Sequence, residues 1–244
     1  KKDLFVVGSS NWITECSKKS SLLKDKNHAT IPNPVDSDIF KPIDKNLARE
    51  IWNLPKSKKI ILFGTVNPLS DERKGFKQLV QSLQKLSSKN NIELVIFGSV
   101  KPREVPDFPF QAHYVGYVND DVSLATLYSS ADLALVPSLQ ENLPNVAIES
   151  LSCGTPVVAF NVGGIKDIIE HKVNGYLAKP YDVDDFANGI KWILDNPNYN
   201  ELCQNARKKI LKEFDSKIVA RKYIKLFNEI LSIKKEKERE HNKK

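Results

Sequence analysis

The chain has 244 residues, of which 41% are hydrophobic and 27% are charged, and its formal net charge is +7. Its length suits one large domain or one and a half, and its composition is ordinary for a soluble globular protein. No window approaches the roughly 20 apolar residues of a membrane span and no signal peptide is recognisable, so we expect no membrane-spanning helix.

The first part of the chain predicts a strand, a weak helix and a second short strand. Residues 3–10 predict the first strand, residues 11–23 the helix, and residues 28–42 a strand that breaks into a proline-rich linker. The sequence contains no methionine and begins at Lys1. We therefore expect it to be a fragment of a longer protein.

A regular alternation of strands and helices begins at Lys59. Apolar runs predict strands at residues 59–65, 92–98, 112–118, 132–138 and 174–180. Amphipathic periodicity predicts helices at residues 76–86, 122–131 and 181–194, and a final apolar stripe predicts a helix at about residues 216–233. This alternation indicates an α/β fold with a mostly parallel sheet and helices on both faces.

Residues 137–164, PSLQENLPNVAIESLSCGTPVVAFNVGG, predict a loop, a helix, a turn, a buried strand and a glycine turn. Pro144 fits the first turn of the helix, and Gly154 is a natural left-handed stop. The apolar run at residues 156–160 is typical of a parallel strand that is covered on both faces. Glu141 lies in the loop and Glu149 in the helix, at a junction that faces the ligand-binding crevice of a doubly wound sheet.

These residues resemble a known signature. Glu141 and Glu149 have seven residues between them and are followed by CGTPVVAF and a Gly-Gly pair. The whole block is similar to the E-x7-E motif of retaining glycosyltransferases with the GT-B fold, in particular the large bacterial family 4 that builds surface polysaccharides and glycolipids. The resemblance implies a Rossmann-like parallel sheet, the C-terminal, donor-binding half of a GT-B fold.

The resemblance also implies the roles of individual residues. A nucleotide-sugar donor carries a diphosphate, which needs positive charge and N–H donors. Lys74-Gly75 matches the Lys-Gly that the family uses at the diphosphate, so catalytic roles fall to Lys74 and to the neighbouring Arg73. Glu141, the third catalytic residue implied, would hold a hydroxyl of the donor sugar. Glu149 would accept hydrogen bonds from the ribose hydroxyls. The backbone N–H groups of Asn142 and Leu143 would approach the sugar or the phosphate, and the backbone of Val118 would lie near the base. The other donor-binding positions implied are Gly64, Gly163 and Gly164.

The sequence departs from the family pattern at two places, and alternatives without a role in donor binding stay open. Thr65 stands where the family commonly has Arg, and Arg73 is the candidate to replace it. Asn142-Leu143-Pro144 stands where many members have Phe-Gly, and the proline removes one backbone donor. The alternatives are a solvated basic turn, two solvated acids, and a Gly-Gly pair that serves only as a structural turn.

Other patterns argue against metals, cofactors and nucleic acid. Asp36-Ser37-Asp38 lies in a linker, and Asp182-Val183-Asp184 starts a helix, so capping explains both pairs better than metal binding. The four histidines have no ligand spacing with cysteines or with each other. Dinucleotide and P-loop motifs are missing, and no aromatic residues interleave with the basic clusters. We expect no cofactor beyond the nucleotide-sugar substrate, no metal and no nucleic-acid partner.

Two features bear on the location of the protein. The three cysteines, Cys16, Cys153 and Cys203, are odd in number and scattered, which favours a reducing cytoplasm over a disulfide framework. Residues 234–244 carry six positive and three negative side chains. This tail is either a solvated helix end or a segment that attracts anionic lipid at the inner face of the membrane.

The predicted function is that of a retaining glycosyltransferase, donor half, acting in polysaccharide or glycolipid synthesis. Residues 1–36 would be a remnant of the acceptor domain with the interdomain linker, residues 37–214 the nucleotide-sugar-binding domain, and residues 215–244 a crossover helix with a charged tail. The acceptor, a saccharide or a lipid-linked sugar, would bind the missing N-terminal domain. The alternatives are a non-catalytic nucleotide-sugar-binding module and another GT-B enzyme such as a sugar-nucleotide epimerase.

Overall fold

The structure is a computed structural model that describes residues 4–65, 71–86, 91–100 and 107–241. These residues form a small two-stranded sheet and a separate six-stranded sheet. The small sheet pairs β1 (Phe5–Gly8) in parallel with β2 (Asn27–Thr30), and helix α1 (Asn11–Lys19) connects the two strands.

The large sheet consists of β3 (Lys59–Gly64), β4 (Ile92–Phe97), β5 (Ala112–Gly116), β6 (Leu133–Val136), β7 (Val157–Phe160) and β8 (Gly175–Ala178). Its described strands are parallel throughout and follow the order β5–β4–β3–β6–β7–β8. Apart from the edge strand β5, which is half-buried, the strands are mostly apolar and buried, as expected where helices cover both faces. This sheet confirms the predicted α/β class and its Rossmann-like parallel order.

Helices cover the two faces of the large sheet and define two core clusters. On one face, α3 (Phe76–Gln84) and α7 (Val183–Leu194) bury their apolar residues against the sheet. The opposite face is covered by α4 (Asp121–Ser130), α5 (Asn145–Ser152), the short α6 (Ile165–Ile168) and α8 (Tyr199–Glu213). Helix α2 (Lys45–Ile51) packs against α4.

The last helix, α9 (Ser216–His241), returns to the small sheet. Its residues Val219 and Leu226 are buried with Ile31, which follows β2. No helix in the described part of the chain combines the length and the apolar character needed to cross a bilayer.

The order of the strands creates a switch point between β3 and β6. These two strands are neighbours, with Phe63 beside Leu135. The chain leaves β3 towards α3 on one face and leaves β6 towards α5 on the other face. In open α/β sheets the crevice at the carboxyl ends of two such strands is the place where ligands bind.

Most predicted elements agree with the structure within two residues at each end, and the exceptions have physical reasons. Helix α1 ends at Lys19 rather than at residue 23, because the next backbone N–H, that of Ser20, bonds back to Ser17. Pro144 is the residue that precedes α5 and not part of its first turn. Helix α9 continues to His241, and α2 and α8 are not predicted by the sequence.

Two local predictions are confirmed, and others are not tested. Gly154 has φ of +75°, as expected for a left-handed stop, and Asp182 caps α7 by accepting from the N–H groups of Asp184 and Asp185. The proposed domain boundaries stay a prediction. Residues 67–70 of the predicted basic turn and residues 242–244 of the tail lie outside the described residues.

Candidate functional site

The crevice at the switch point contains a cavity of about 250 Å³. Its walls are the carboxyl ends of β3, β4 and β6 and the loop that follows β6. Because these three strands are adjacent and parallel, side chains that come from distant parts of the sequence meet here. The lining includes Gly64, Thr65, Lys74, Phe97, Ser138 and Glu141.

Lys74 reaches this cavity from a single 3-10 turn, Glu72–Lys74. The turn ends at Gly75, which has φ of +67°, and a Cβ at Gly75 would overlap the carbonyl oxygen of Pro137. The N–H of Leu139 also donates a hydrogen bond of 2.7 Å to the carbonyl of Arg73. The basic turn is therefore fastened to the loop after β6, and Lys74 lies beside that loop.

Lys74 and Glu141 form an ion pair in the cavity, although 67 positions separate them in the sequence. The distance from Lys74 Nζ to Glu141 Oε2 is 2.8 Å, and the side chains are 42% and 18% exposed. The structure thus brings together the cation predicted for the diphosphate and the acid predicted for the sugar.

Glu141 is held in place by contacts on both its carboxylate and its backbone. The backbone N–H of Asn142 donates to Glu141 Oε1 at 3.1 Å, and Ser138 Oγ lies 3.5 Å from Oε2. Gly163 has φ of +54°, and a Cβ there would overlap the carbonyl oxygen of Glu141. A Cβ at Gly164 would likewise overlap the carbonyl of Asn142. The Gly-Gly pair is therefore needed for packing of the chain against itself, and its contact with a donor stays a prediction.

Arg73 lies on the outer side of the basic turn. Its Nε and Nη2 atoms each donate a hydrogen bond of 3.0 Å to Asp71, and its side chain is 72% exposed. It lines a second, shallower groove of about 710 Å³ together with Trp12, Gly163 and Tyr181. Arg73 therefore sits next to the small cavity but is not part of the lining that contains Lys74.

Glu149 is half-buried and does not line the cavity. The hydroxyl of Tyr128 donates a hydrogen bond of 2.8 Å to its Oε2, and the Tyr128 ring packs edge-on against Phe97, with ring centroids 5.8 Å apart. Burial raises the pKa of Glu149, and the hydrogen bond from Tyr128 lowers that pKa by less. Glu149 is thus connected to the cavity wall through Tyr128 and Phe97 rather than through its own side chain.

Three further predicted residues have structural partners of their own. The side-chain oxygen of Asn142 accepts a hydrogen bond of 2.6 Å from Ser10, and its amide nitrogen donates to Ser9 at 2.7 Å. Leu143 is buried in the core, and Val118 is half-buried against the same cluster. Their predicted contacts with the sugar, the phosphate and the base stay predictions.

Several residues of the site are not predicted by the sequence. Ser10 caps α1 by accepting from the N–H of Ile13, a signal that a cap pattern could have revealed. Tyr128 lies within α4 and carries no local signal for a role beside Glu149. Thr65 Oγ1 is buried at the edge of the cavity and has no hydrogen-bond partner in the described part of the chain. Such an unpaired buried hydroxyl is uncommon and points to a missing partner.

Comparison with known proteins places this chain in a family. The family described as glycosyl transferases group 1 matches residues 44–211. An uncharacterized glycosyltransferase of Methanocaldococcus jannaschii is 31% identical over 205 residues, which are 80% of this chain and 51% of that protein. The D-inositol 3-phosphate glycosyltransferase of Mycolicibacterium smegmatis is 32% identical over 184 residues, which are 70% of this chain and 41% of that protein. The chain thus spans about half the length of the curated relatives that it matches.

Solved structures have the same fold. Sucrose-phosphate synthase from Thermosynechococcus elongatus is 26% identical with a TM-score of 0.79, over 94% of this chain and 59% of that chain. A glycosyltransferase from Rickettsia africae is 21% identical with a TM-score of 0.80, over 94% and 64% of the two chains. Anabaena HepE in complex with UDP is 19% identical with a TM-score of 0.72, over 92% and 64%. The family match and the curated relatives show that this chain belongs to the glycosyl transferases group 1 family.

Proposed function

We propose that this chain is the donor-binding half of a retaining glycosyltransferase. The protein would move a sugar from a nucleoside diphosphate to an acceptor hydroxyl, with the anomeric configuration kept. The observation that carries the proposal is the meeting of Lys74 and Glu141 in one cavity at the switch point of the sheet. A cation and an acid at the carboxyl ends of these strands suit a ligand that has both a diphosphate and sugar hydroxyls.

Each residue of the site has a defined task in this proposal. Lys74 offsets the charge on the diphosphate, most strongly as the bond to the sugar breaks and charge builds up on the leaving oxygen. Arg73 releases Asp71 and donates its hydrogen bonds to phosphate oxygens instead. Its guanidinium is exposed, and the two bonds that it now makes to the Asp71 carboxylate can be made equally to two phosphate oxygens. The Thr65 hydroxyl, which has no hydrogen-bond partner among the described residues, gains one from the phosphate. The proposal needs no metal ion, because these groups supply the positive charge and the donors.

The two glutamates divide the rest of the donor between them. Glu141 accepts hydrogen bonds from hydroxyls of the sugar, with its carboxylate oriented by Asn142. Glu149 accepts from the ribose hydroxyls, for which it needs to turn from Tyr128 or use its second oxygen. We assign the acceptor, a saccharide or a lipid-linked sugar of polysaccharide or glycolipid synthesis, to a part of the protein outside this chain.

A binding screen tests the donor assignment. UDP, ADP and GDP, and sugar conjugates of each, are added to the chain while its thermal unfolding is followed. UDP comes first because the structure of Anabaena HepE contains it. A ligand at 100 times its dissociation constant adds about 2.7 kcal/mol of stability, which is a clear shift of the melting temperature. The absence of any shift at millimolar concentrations contradicts the assignment.

Transfer is tested with the full-length protein. A nucleotide sugar with a radiolabelled sugar is incubated with the protein and membrane extract, and the labelled product is isolated. Label transfer with the anomeric configuration kept, as read from the anomeric coupling constant by NMR, supports a retaining transferase. Tight donor binding without any label transfer would instead indicate a non-catalytic binding module.

A further inference from the structure

The ion pair between Lys74 and Glu141 occupies the very groups that a donor would use. Lys74 Nζ lies 2.8 Å from Glu141 Oε2, and both residues line the small cavity. In this arrangement the negative charge of the Glu141 carboxylate already balances the positive charge of Lys74. Any phosphate that binds Lys74 must displace the Glu141 carboxylate or accept its close negative charge.

The two partners differ in their freedom to move. Glu141 is only 18% exposed, its Oε1 accepts from the Asn142 N–H, and its carbonyl oxygen accepts from the N–H of Gly164 at 3.3 Å. Lys74 is 42% exposed and has a flexible four-carbon stem. The lysine can therefore turn to a phosphate, while the carboxylate stays in the cavity next to it.

A fixed carboxylate at this place treats two phosphate ligands differently. The terminal phosphate of a free nucleoside diphosphate carries about −1.5 to −2 charges near pH 7. In the sugar donor the same phosphate forms an ester with the sugar on one side and an anhydride with the other phosphate, and it carries a single charge. Like charges within about 4–6 Å disfavour each other, so the free diphosphate is repelled more strongly. Only the donor also brings the hydroxyl groups of the transferred sugar, which can donate to the Glu141 carboxylate.

We propose that Glu141 is a specificity determinant that favours the intact sugar donor over the free nucleoside diphosphate, by holding Lys74 in an ion pair until sugar hydroxyls compensate the carboxylate. This inference rests on the proposed function and extends it. The consequence is weak retention of the diphosphate product. A carboxylate that served only to hold the sugar would leave the affinity for the free diphosphate unchanged.

The test replaces Glu141 by its neutral isostere. UDP, ADP and GDP are first compared for their affinity for the wild-type chain. The nucleoside diphosphate that binds most tightly is then titrated into the wild type and into Glu141→Gln, and calorimetry gives the two dissociation constants. We expect the dissociation constant of the free diphosphate to fall about tenfold in Glu141→Gln, which corresponds to about 1.4 kcal/mol. The dissociation constant of the matching sugar donor should stay equal or rise. An unchanged or weaker affinity for the free diphosphate overturns the inference.

Two further variants make the result specific. Glu141→Ala should tighten diphosphate binding as well, which guards against an accidental effect of the glutamine side chain. Glu170→Gln is the matched control, since Glu170 also pairs with a lysine, Lys209, at 2.9 Å but follows α6, away from the cavity. It should leave the affinity within twofold. An equal gain in Glu170→Gln would mean that net charge and not the site is responsible, and the inference would fall.

The experiment also separates this inference from the function on which it rests. If none of the three diphosphates binds the wild-type chain or the Glu141 variants, the proposed function fails and the inference fails with it. If a diphosphate binds the wild type but Glu141→Gln does not bind it more tightly, the donor site stands and only the role of Glu141 in selection is refuted.

Discussion

The phenolic oxygen of Tyr128 lies 2.8 Å from Oε2 of Glu149 and donates a hydrogen bond to it. Tyr128 is fully buried and Glu149 is half-buried, so the hydrogen bond stabilises a carboxylate that has lost part of its hydration. The second acid of the E-x7-E pair is thereby fixed in direction before any ligand binds. Its position depends on α4, an element that carries none of the motif.

Removal of the Tyr128 hydroxyl should therefore weaken the protein. We expect Tyr128→Phe to lower the free energy of unfolding by about 1–3 kcal/mol at pH 7, because the carboxylate loses a donor without gaining water. The loss should shrink at low pH, where Glu149 is protonated. Urea unfolding of the wild type and Tyr128→Phe, at pH 7 and at low pH, measures this loss of stability. An equal loss at the two pH values would show that packing of the ring is responsible.

The raised pKa of Glu149 predicts a pH dependence with a definite sign. Burial raises this pKa above its usual 4.5, so the folded chain keeps a proton that the unfolded chain loses. The contribution of Glu149 to stability is therefore present below pH 4.5 and is lost as the pH rises through the folded pKa. Glu149→Gln cannot titrate. The difference in unfolding free energy, wild type minus Glu149→Gln, should fall from pH 4 to pH 7, and a constant or rising difference would contradict the assigned burial.

The contact between Gly163 and the Glu141 carbonyl can be tested with a pair of glycine substitutions. Gly116→Ala places a methyl group at φ of +73° with nothing within 4 Å, which should cost about 1–2 kcal/mol. Gly163→Ala has a similar φ of +54° but meets the Glu141 carbonyl, so we expect a further loss of about 1–3 kcal/mol. It should also weaken binding of the sugar donor at temperatures where the protein is folded, because the displaced Glu141 carboxylate no longer meets the sugar hydroxyls. Equal effects of the two variants on stability and binding would show that the loop is not held by this contact.

A buried ion pair at the other end of the sheet should matter for stability alone. Asp132 accepts from Arg49 at 2.7 Å, and the two side chains are 7% and 5% exposed. We expect Asp132→Ala to cost about 3–5 kcal/mol, because it leaves the Arg49 guanidinium buried without its partner. Glu50→Ala removes an exposed partner of Lys56 and should cost less than about 1 kcal/mol. Chemical unfolding compares the two, and similar losses would contradict the burial of Asp132.

Much of the fold can be predicted from the sequence because local signals are strong there. The run at residues 156–160 is apolar with two β-branched valines, it starts with Pro156, and it follows Gly154, so β7 and the end of α5 are predictable. Helix α8 is different. It buries only Leu202, Ala206 and Ile210 among many polar residues, so its apolar stripe is too thin to predict.

The candidate site can be predicted only in part, for a related reason. The identities of Lys74 and Glu141 follow from motifs, but their pairing depends on the switch point that brings β3 and β6 together. The partners of Glu149 and Asn142 come from α4 and from the start of α1. Such contacts depend on how the helices pack against each other. The direction that a side chain takes between packed helices has no local sequence signal.

The most direct test of the donor site compares two lysines by calorimetry. Lys74 and Lys85 are both 42% exposed, and each pairs with an acid, Lys74 with Glu141 at 2.8 Å and Lys85 with Asp184 at 2.7 Å. Of the two, only Lys74 lines the cavity. Lys74 lies just before the start of α3, whereas Lys85 lies at the opposite end of this helix. Using the diphosphate that binds the wild-type chain most tightly, we expect Lys74→Ala to weaken binding at least about tenfold, the loss of one charge-assisted hydrogen bond. Lys85→Ala should bind as the wild type does, and equal affinities in the two variants would contradict the site.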